Sequence, residues 1–315
     1  MDPSWWDGFS AMVRYEMLWN LRKKKFLGML VLAIALVTLS LFLPFLLAGL
    51  TGQEPEPNPD YALSSVAGVG GLGFFLFGLV TVINSVSSEF EQGTITPLLS
   101  KPVSRTTVFL GKLTGALLTL VVTYTVLMMY QVVGGMLLHG PQNNLHLAPL
   151  FLLGMIISTL VWIAIVLALG SVSKNTTLTA LAAVGIFMGI NIVGGIFTAF
   201  TGEAWVLTYV PGGWASGTLA QDDPLQPFDP GAATVSTGTD GVASNLVQYV
   251  LHPSSEVTFY TFRFEGPPGQ PPGFEVLYTQ PMSLVLLQSL SVALTYIFVL
   301  SLVAWFALKR AEVKG

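Results

Sequence analysis

The chain has 315 residues, of which 52% are hydrophobic and only 10% are charged, with a formal net charge of -4. Ordinary soluble domains carry about 25% charged residues, so this composition excludes a protein that lies mainly in water. The absence of cysteine excludes disulfides, thiolate nucleophiles and Cys-ligated metal sites. We therefore expect a protein embedded in lipid.

The first segment, residues 1–25, is predicted to form an amphipathic helix that lies at the membrane interface. Apolar side chains recur there at helical spacing, while Asp7, Arg14 and Asn20 fall elsewhere around the helix. Such a helix either anchors the first span or docks a partner, and both interpretations stay open. The apolar residues are Trp5, Phe9, Met12, Val13, Met17 and Leu21.

Six apolar runs are long enough to cross a bilayer. About 20 helical residues span the roughly 30 Å hydrocarbon core, and a helix satisfies its own backbone groups there. We predict an all-α integral membrane protein with five spans within residues 26–201 and a sixth within residues 282–315. The runs are residues 26–50, 62–86, 109–138, 148–172, 178–201 and 282–308.

The distribution of basic residues predicts that both termini are cytoplasmic in a multi-pass protein of the cell membrane. Of the 13 Lys and Arg residues, only Arg263 falls in a segment assigned to the outer side, where acidic residues are common. A cleaved signal peptide is disfavoured because residues 1–25 precede the first apolar run and that run is too long. The inner basic residues are Arg14, Arg22, Lys23, Lys24, Lys25, Lys101, Arg105, Lys112, Lys174, Lys309, Arg310 and Lys314.

Residues 202–281, called the outer segment below, are predicted to form a small irregular α/β segment outside the membrane. EVTFYTFRFE (256–265) alternates like a strand, and GFEVLYT (273–279) follows a Pro/Gly-rich turn as its partner in a hairpin. Residues 242–251 are predicted to form a short helix. A lid over an exit path and a covering of the helix ends are both compatible with this pattern.

The membrane-spanning runs lack the residues that several classes of membrane protein need. Lys112 is the one Asp, Glu, Lys, Arg or His inside them. Ion-coupled carriers normally keep ionisable groups near the midplane, and intramembrane proteases need a catalytic set, so both classes are disfavoured. Gly111-Lys112 is followed by Leu113 and no GxxxxGK[ST] occurs, so a P-loop nucleotide site is excluded as well.

A soft copper site is the one metal-binding alternative. Methionines lie in the outer half of the third run, and histidines lie in the outer loops. Methionine is a common apolar filler, and the histidine spacing does not form a ligand pair on a helix, so no metal site is predicted. The residues concerned are Met128, Met129, Met136, His139, His146 and His252.

The loop between the second and third runs carries the most specific pattern in the chain. Residues 87–115 read SSEFEQGTITPLLSKPVSRTTVFLGKLTG, and we call residues 87–108 the coupling loop. Ser87 or Ser88 can cap a short acidic helix, and Ser104 can cap the third span. A helix-turn-helix that protrudes between two spans can seat in a groove of a soluble partner and convey the partner's movement to both spans.

This loop resembles that of the type-2 ABC transporter permease family, where E-x-E-x-G-T precedes LLS, P-V-S-R and G-K. The six-span topology is similar as well, and the branch linked to maturation of multicopper enzymes resembles it most. The resemblance implies a permease subunit without an ATPase site of its own, which usually exports. The coupling residues it implies are Glu89, Glu91, Gly93, Thr94, Leu98, Leu99, Ser100, Pro102 and Arg105.

The resemblance also implies the partners of this chain. They are two copies of a cytoplasmic P-loop ATPase subunit, a second permease of the same or a related sequence, and membrane lipids, with no nucleic acid. The chain itself binds no cofactor, because ATP and Mg act through the ATPase subunit.

In this family the second and fifth spans line the transport path. Asn191 near the middle of the fifth span, Phe187 one turn away on the same side, and Asn84 in the second span are therefore candidate path residues. A hydrogen bond between helices is the competing role for Asn191, because an unpaired amide is costly in lipid. Gly185 and Gly189 have the GxxxG spacing of closely packed helices.

A different class of function also fits the pattern. The chain could be a non-transporting membrane scaffold that assembles or matures an outer-surface enzyme through residues 202–281. Deleting the outer segment would then abolish recruitment of that enzyme, and ATP hydrolysis would be irrelevant.

Overall fold

The computed structural model describes residues 5–52, 57–64, 70–83, 87, 91, 104–201, 204–212, 216–219, 234–263 and 273–310. These residues are mostly helical, and the predicted all-α membrane fold class is confirmed. The helices are α1 (Trp5–Arg22), α2 (Lys24–Thr51), α3 (Tyr61–Ser64), α4 (Gly71–Val82), α5 (Arg105–His139), α6 (Ala148–Ser173), α7 (Thr176–Thr201), α8 (Val242–Leu251) and α9 (Met282–Arg310).

Five helices of the described chain are long and apolar enough to cross a membrane: α2, α5, α6, α7 and α9. The predicted second span, residues 62–86, is different. It contains the short helix α3 and the 12-residue α4, and residues 65–69 and 84–86 lie outside the described residues. A helix of that length is too short to cross by itself, so the sixth span stays a prediction.

Helix α6 is the centre of the bundle. In its most apolar window 72% of the residues are buried, compared with 6% in α7 and 11% in α9. Trp162 of α6 is fully buried and packs edge-on against Phe75 of α4, with a distance of 5.0 Å between the ring centroids. The apolar side chains on α2, α7 and α9 are largely exposed, as expected for helices that face lipid.

Helix α1 docks on the first turns of α5, because two glycines of α5 allow close approach. A Cβ atom on Gly111 would lie 2.5 Å from Met12 Cγ, and one on Gly115 would lie 2.6 Å from Glu16 Cβ. The residues of α1 that are buried most deeply are Glu16 and Asn20, neither of which belongs to the apolar stripe seen in the sequence.

The outer segment contains a four-stranded antiparallel sheet in the order β2-β1-β3-β4. The predicted hairpin is confirmed, with a register that runs from Glu256 opposite Pro281 to Arg263 opposite Gly273. The first two strands have only four and three residues, which is too short for a recognisable alternation. The strands are β1 (Ser216–Leu219), β2 (Thr234–Ser236), β3 (Glu256–Arg263) and β4 (Gly273–Pro281).

Residues 239–251, which we call the re-entrant segment, insert between α6 and α9. The segment consists of a 3₁₀ turn and α8, whose bounds agree with the predicted helix at residues 242–251. Ser158 Oγ donates a buried hydrogen bond of 2.7 Å to the Thr239 carbonyl oxygen. Because α6 rises 1.5 Å per residue, this contact lies about 15 Å along α6 from its first residue. Part of the outer segment therefore lies inside the helix bundle.

Candidate functional site

The structure describes two of the predicted coupling residues, Glu91 and Arg105, which lie near the two ends of the coupling loop. The predicted cap of α5 is confirmed, because Ser104 Oγ accepts a hydrogen bond of 3.0 Å from the Thr107 backbone N–H. The remaining coupling residues lie outside the described residues. They are Glu89, Gly93, Thr94, Leu98, Leu99, Ser100 and Pro102.

Glu91 binds the beginning of α7. Its Oε1 atom accepts a hydrogen bond of 2.9 Å from the Thr176 backbone N–H, and Thr176 Oγ1 donates to Ser87 Oγ at 3.3 Å. The first N–H groups of a helix have no partner within the helix and carry the positive end of its dipole. A carboxylate is the side chain that this position favours, so Glu91 links the coupling loop to the fifth predicted span.

Arg105 makes the opposite contact at the end of α9. Its Nη1 atom donates to the carbonyl oxygens of Leu308 and Lys309 at 3.2 and 2.8 Å. A guanidinium there satisfies carbonyls at the negative end of the helix dipole. Trp305 Nε1 also donates to Thr106 Oγ1 at 3.3 Å. The basic end of the coupling loop is thus bound to the last span.

A buried ion pair joins α1 to α5 close to this loop. Lys112 Nζ lies 2.6 Å from Glu16 Oε1, and the two side chains are only 3% and 2% exposed. Sequence reasoning identified Lys112 as the one ionisable residue within the predicted spans but did not identify Glu16 as its partner. The two residues are 96 positions apart, and one sequence contains no signal that pairs them.

Lys23 extends the same polar cluster towards α4. Its Nζ donates to Asn20 Oδ1 at 2.7 Å and to the Thr81 carbonyl oxygen at 3.3 Å. Burial lowers the pKa of Lys23 to about 8, Glu16 opposes that shift, and the like charges of Lys112 and Lys25 add to it. The cluster therefore connects the last turns of α1 and α4 with the first turns of α5.

The predicted path residues do not share one environment. Phe187 is buried and stacks on Phe75, with ring centroids 4.4 Å apart, while Trp162 packs on it at 5.6 Å. Asn191 is exposed, and its Nδ2 donates to the Phe187 carbonyl oxygen at 2.8 Å, a hydrogen bond within α7 instead of one between helices. Asn84 lies outside the described residues. No atom of the described chain lies within 4 Å of a Cβ built on Gly185 or Gly189.

The re-entrant segment brings the carboxyl group of Asp240 into the bundle, although sequence reasoning assigned this residue to the outer segment. Asp240 Oδ2 is buried without a hydrogen-bond partner among the described residues, and it contacts the position where Gly71 of α4 would carry a Cβ atom. Tyr124 and Thr159, also fully buried, form a hydrogen bond nearby. Burying an unpaired carboxyl group is costly, and this cost is what makes the position unusual.

In the part of the chain that the structure describes, His139 is used for packing, whereas His146 and His252 are exposed. His139 stacks on Tyr61 with ring centroids 4.4 Å apart, and its Nδ1 lies 3.4 Å from the Asn58 backbone N–H that donates to it. Among the described residues no group of three or more His, Asp or Glu side chains could hold a metal ion. The copper alternative gains no support from this geometry.

Comparison with models of protein families gives a match over almost the whole chain. Residues 11–311 match the family model described as ABC-2 family transporter protein. No curated protein matches the sequence. The match extends from α1 to the end of α9, so it includes the coupling loop, the predicted path residues and the outer segment.

Proposed function

Because the chain belongs to the ABC-2 transporter family and is a permease subunit of an ABC transporter, we propose that ATP hydrolysis by a separate cytoplasmic subunit drives transport through its helices. The ATPase subunit docks on the coupling loop. ATP and Mg act only in the ATPase subunit, since the sequence of this chain contains no P-loop. The direction of transport that we propose is export.

One observation carries this proposal. The coupling loop has the acidic beginning and basic end of the family pattern, and its two described charged residues, Glu91 and Arg105, each hold the inner end of another span. A loop that only connected two helices would not need such contacts. A loop that receives force from a partner needs a firm attachment to the helices that move.

The proposed assembly contains two permeases and two ATPase subunits. The exposed surface of α7 supports the pairing of permeases, because its glycines Gly185 and Gly189 face no other part of the described chain. Helices in membranes associate closely through such small residues. Asn191, Phe187 and Asn84 remain our candidates for the transport path, and the exposed amide of Asn191 is available to a substrate between the two permeases.

Co-purification tests the proposal directly. The tagged chain is purified from its native membranes in mild detergent, and bound subunits are labelled with 8-azido-ATP. We expect a labelled subunit with Mg-dependent ATP hydrolysis. The double variant Glu89→Lys with Glu91→Lys, and separately Gly93→Pro, should lose that subunit, because the first reverses the charge of the predicted acidic helix and the second fixes φ at the glycine of the family pattern.

The matched control is Asp60→Lys, which reverses an exposed acidic residue on the predicted outer side. This variant should keep the labelled subunit and its hydrolysis rate. Full retention of the ATPase by the Glu89, Glu91 and Gly93 variants would contradict the docking site. If ATP hydrolysis were irrelevant and deletion of residues 202–281 released an outer-surface enzyme, the scaffold function would replace this proposal.

A further inference from the structure

The coupling loop contacts more spans than the two it joins in sequence. Its acidic end meets the first residue of α7 through the Thr176 backbone N–H and the Thr176 hydroxyl. Its basic end meets the last turn of α9 through Arg105. Each charge is opposite in sign to the helix dipole at the end that it contacts, so reversing either charge would weaken that contact.

The contact with α7 is the more specific of the two. Asn175 occupies the position before the helix, and its Oδ1 accepts a hydrogen bond of 2.7 Å from the Leu178 N–H. Capping by Asn175 leaves the Thr176 N–H without a partner on its own helix, and Glu91 supplies that partner from the coupling loop. Within the described residues, therefore, two side chains from different elements share the cap of α7.

We propose that the Glu91–Thr176 hydrogen bond transmits movement of the coupling loop directly to α7, which makes Glu91 and Thr176 positioning residues for the transport step. The inference rests on the proposed function, since the ATPase subunit supplies the movement. It adds a route that does not pass through α4 or α5. The helix that receives it carries Phe187 and Asn191, so displacing α7 from its inner end shifts the candidate path.

Packing within the bundle supports a lever-like response of α7. Only 6% of the residues in its most apolar window are buried, so few side chains resist a tilt of this helix relative to α6. Phe187, stacked on Phe75 and against Trp162, is the main aromatic anchor along its length. A pull at Thr176 would act on one side of this anchor, and Asn191 lies on the other.

The test changes α7 and leaves the coupling loop intact. Thr176→Pro removes the backbone N–H that donates to Glu91. Thr176 is the first residue of α7, a position at which proline is well tolerated. Thr176→Ala is the matched control, because it removes the hydroxyl group but keeps the N–H. Neither change alters the residues proposed to dock the ATPase subunit, so both variants should co-purify with it at wild-type levels.

Fluorescence reports the movement, and the absence of native cysteine allows single labels. Bimane is attached to Leu181→Cys on α7 or to Leu110→Cys on α5, two exposed positions that each lie near the inner end of their helix. The complex with its ATPase is then compared with and without a non-hydrolysable ATP analogue. Both labels should respond in the Thr176→Ala background.

In the Thr176→Pro background we expect the change in bimane fluorescence caused by the ATP analogue to fall about tenfold or more at Leu181, as the loss of one charge-assisted hydrogen bond allows. The fluorescence change at Leu110 should be the same as in the Thr176→Ala background. Equal responses at Leu181 in both backgrounds would overturn the inference, and so would a loss at both positions, which would show a general structural defect. If the wild-type chain co-purifies with no ATPase, the proposed function fails first, and this inference fails with it.

Discussion

Replacing Glu16 with alanine is expected to destabilise the protein by about 3–5 kcal/mol, the usual cost of removing one partner from a buried ion pair. Lys112 would keep its charge in a site where its side chain is only 3% exposed but would lose the carboxylate 2.6 Å away. Reversible unfolding of the purified chain in detergent measures the change. Labelling of cysteines placed on α1 would report release of that helix from α5.

Two controls separate the ion pair from the rest of α1. Asp7→Ala removes an exposed acidic residue from the same helix and should change stability by no more than about 0.5 kcal/mol. The double variant Glu16→Met with Lys112→Met should recover most of the loss, because a buried pair is often replaced by apolar side chains at little cost. A Glu16→Ala protein as stable as the Asp7→Ala protein would show that the pair contributes nothing.

The helices could be predicted from the sequence because lipid permits few alternatives. A backbone in hydrocarbon must satisfy its own hydrogen bonds, so each long apolar run is a helix whatever it packs against. The bounds of α2, α5, α6, α7 and α9 therefore lie within a few residues of the predicted runs. For the second run the described residues contain the 12-residue α4, and residues 65–69 and 84–86 lie outside them, so a span there stays a prediction.

The position of the re-entrant segment could not be predicted, although its helix could. Nothing in VASNLVQYVL distinguishes a helix on the outer surface from one inserted between α6 and α9. Asp240 indicated an aqueous position, since carboxyl groups avoid low dielectric. The structure instead buries its Oδ2 atom against Gly71.

In the candidate site, too, local features could be predicted from the sequence, but contacts between distant elements could not. Glu91 and Arg105 were identified from a local pattern, but the helix ends that they bind are 85 and more than 200 positions away. Periodicity and motif spacing report on neighbours within a few turns, whereas these contacts depend on how the spans are arranged. The pattern identified the charged residues, and the fold determines which helix ends these residues contact.

The insertion of the re-entrant segment makes Gly154 of α6 a second sensitive position. A Cβ atom there would lie 2.7 Å from Ala243 N and 3.0 Å from Ala243 Cβ, with Ala243 Cα also in contact. Since these atoms are mostly backbone, α8 has to move to make room. We expect Gly154→Ala to destabilise the protein by about 1–3 kcal/mol through overpacking, even though alanine favours a helix over glycine by about 0.5–1 kcal/mol.

Gly28→Ala in α2 is the matched control, because no atom lies within 4 Å of a Cβ at that position. It should be neutral or slightly stabilising in the same detergent unfolding assay. A cysteine at Val247, a position that is 1% exposed in α8, should react with maleimide faster in the Gly154→Ala background than in the Gly28→Ala background. Equal reaction rates and equal stability in the two backgrounds would mean that α8 does not pack against Gly154, and that the re-entrant segment lies outside the bundle.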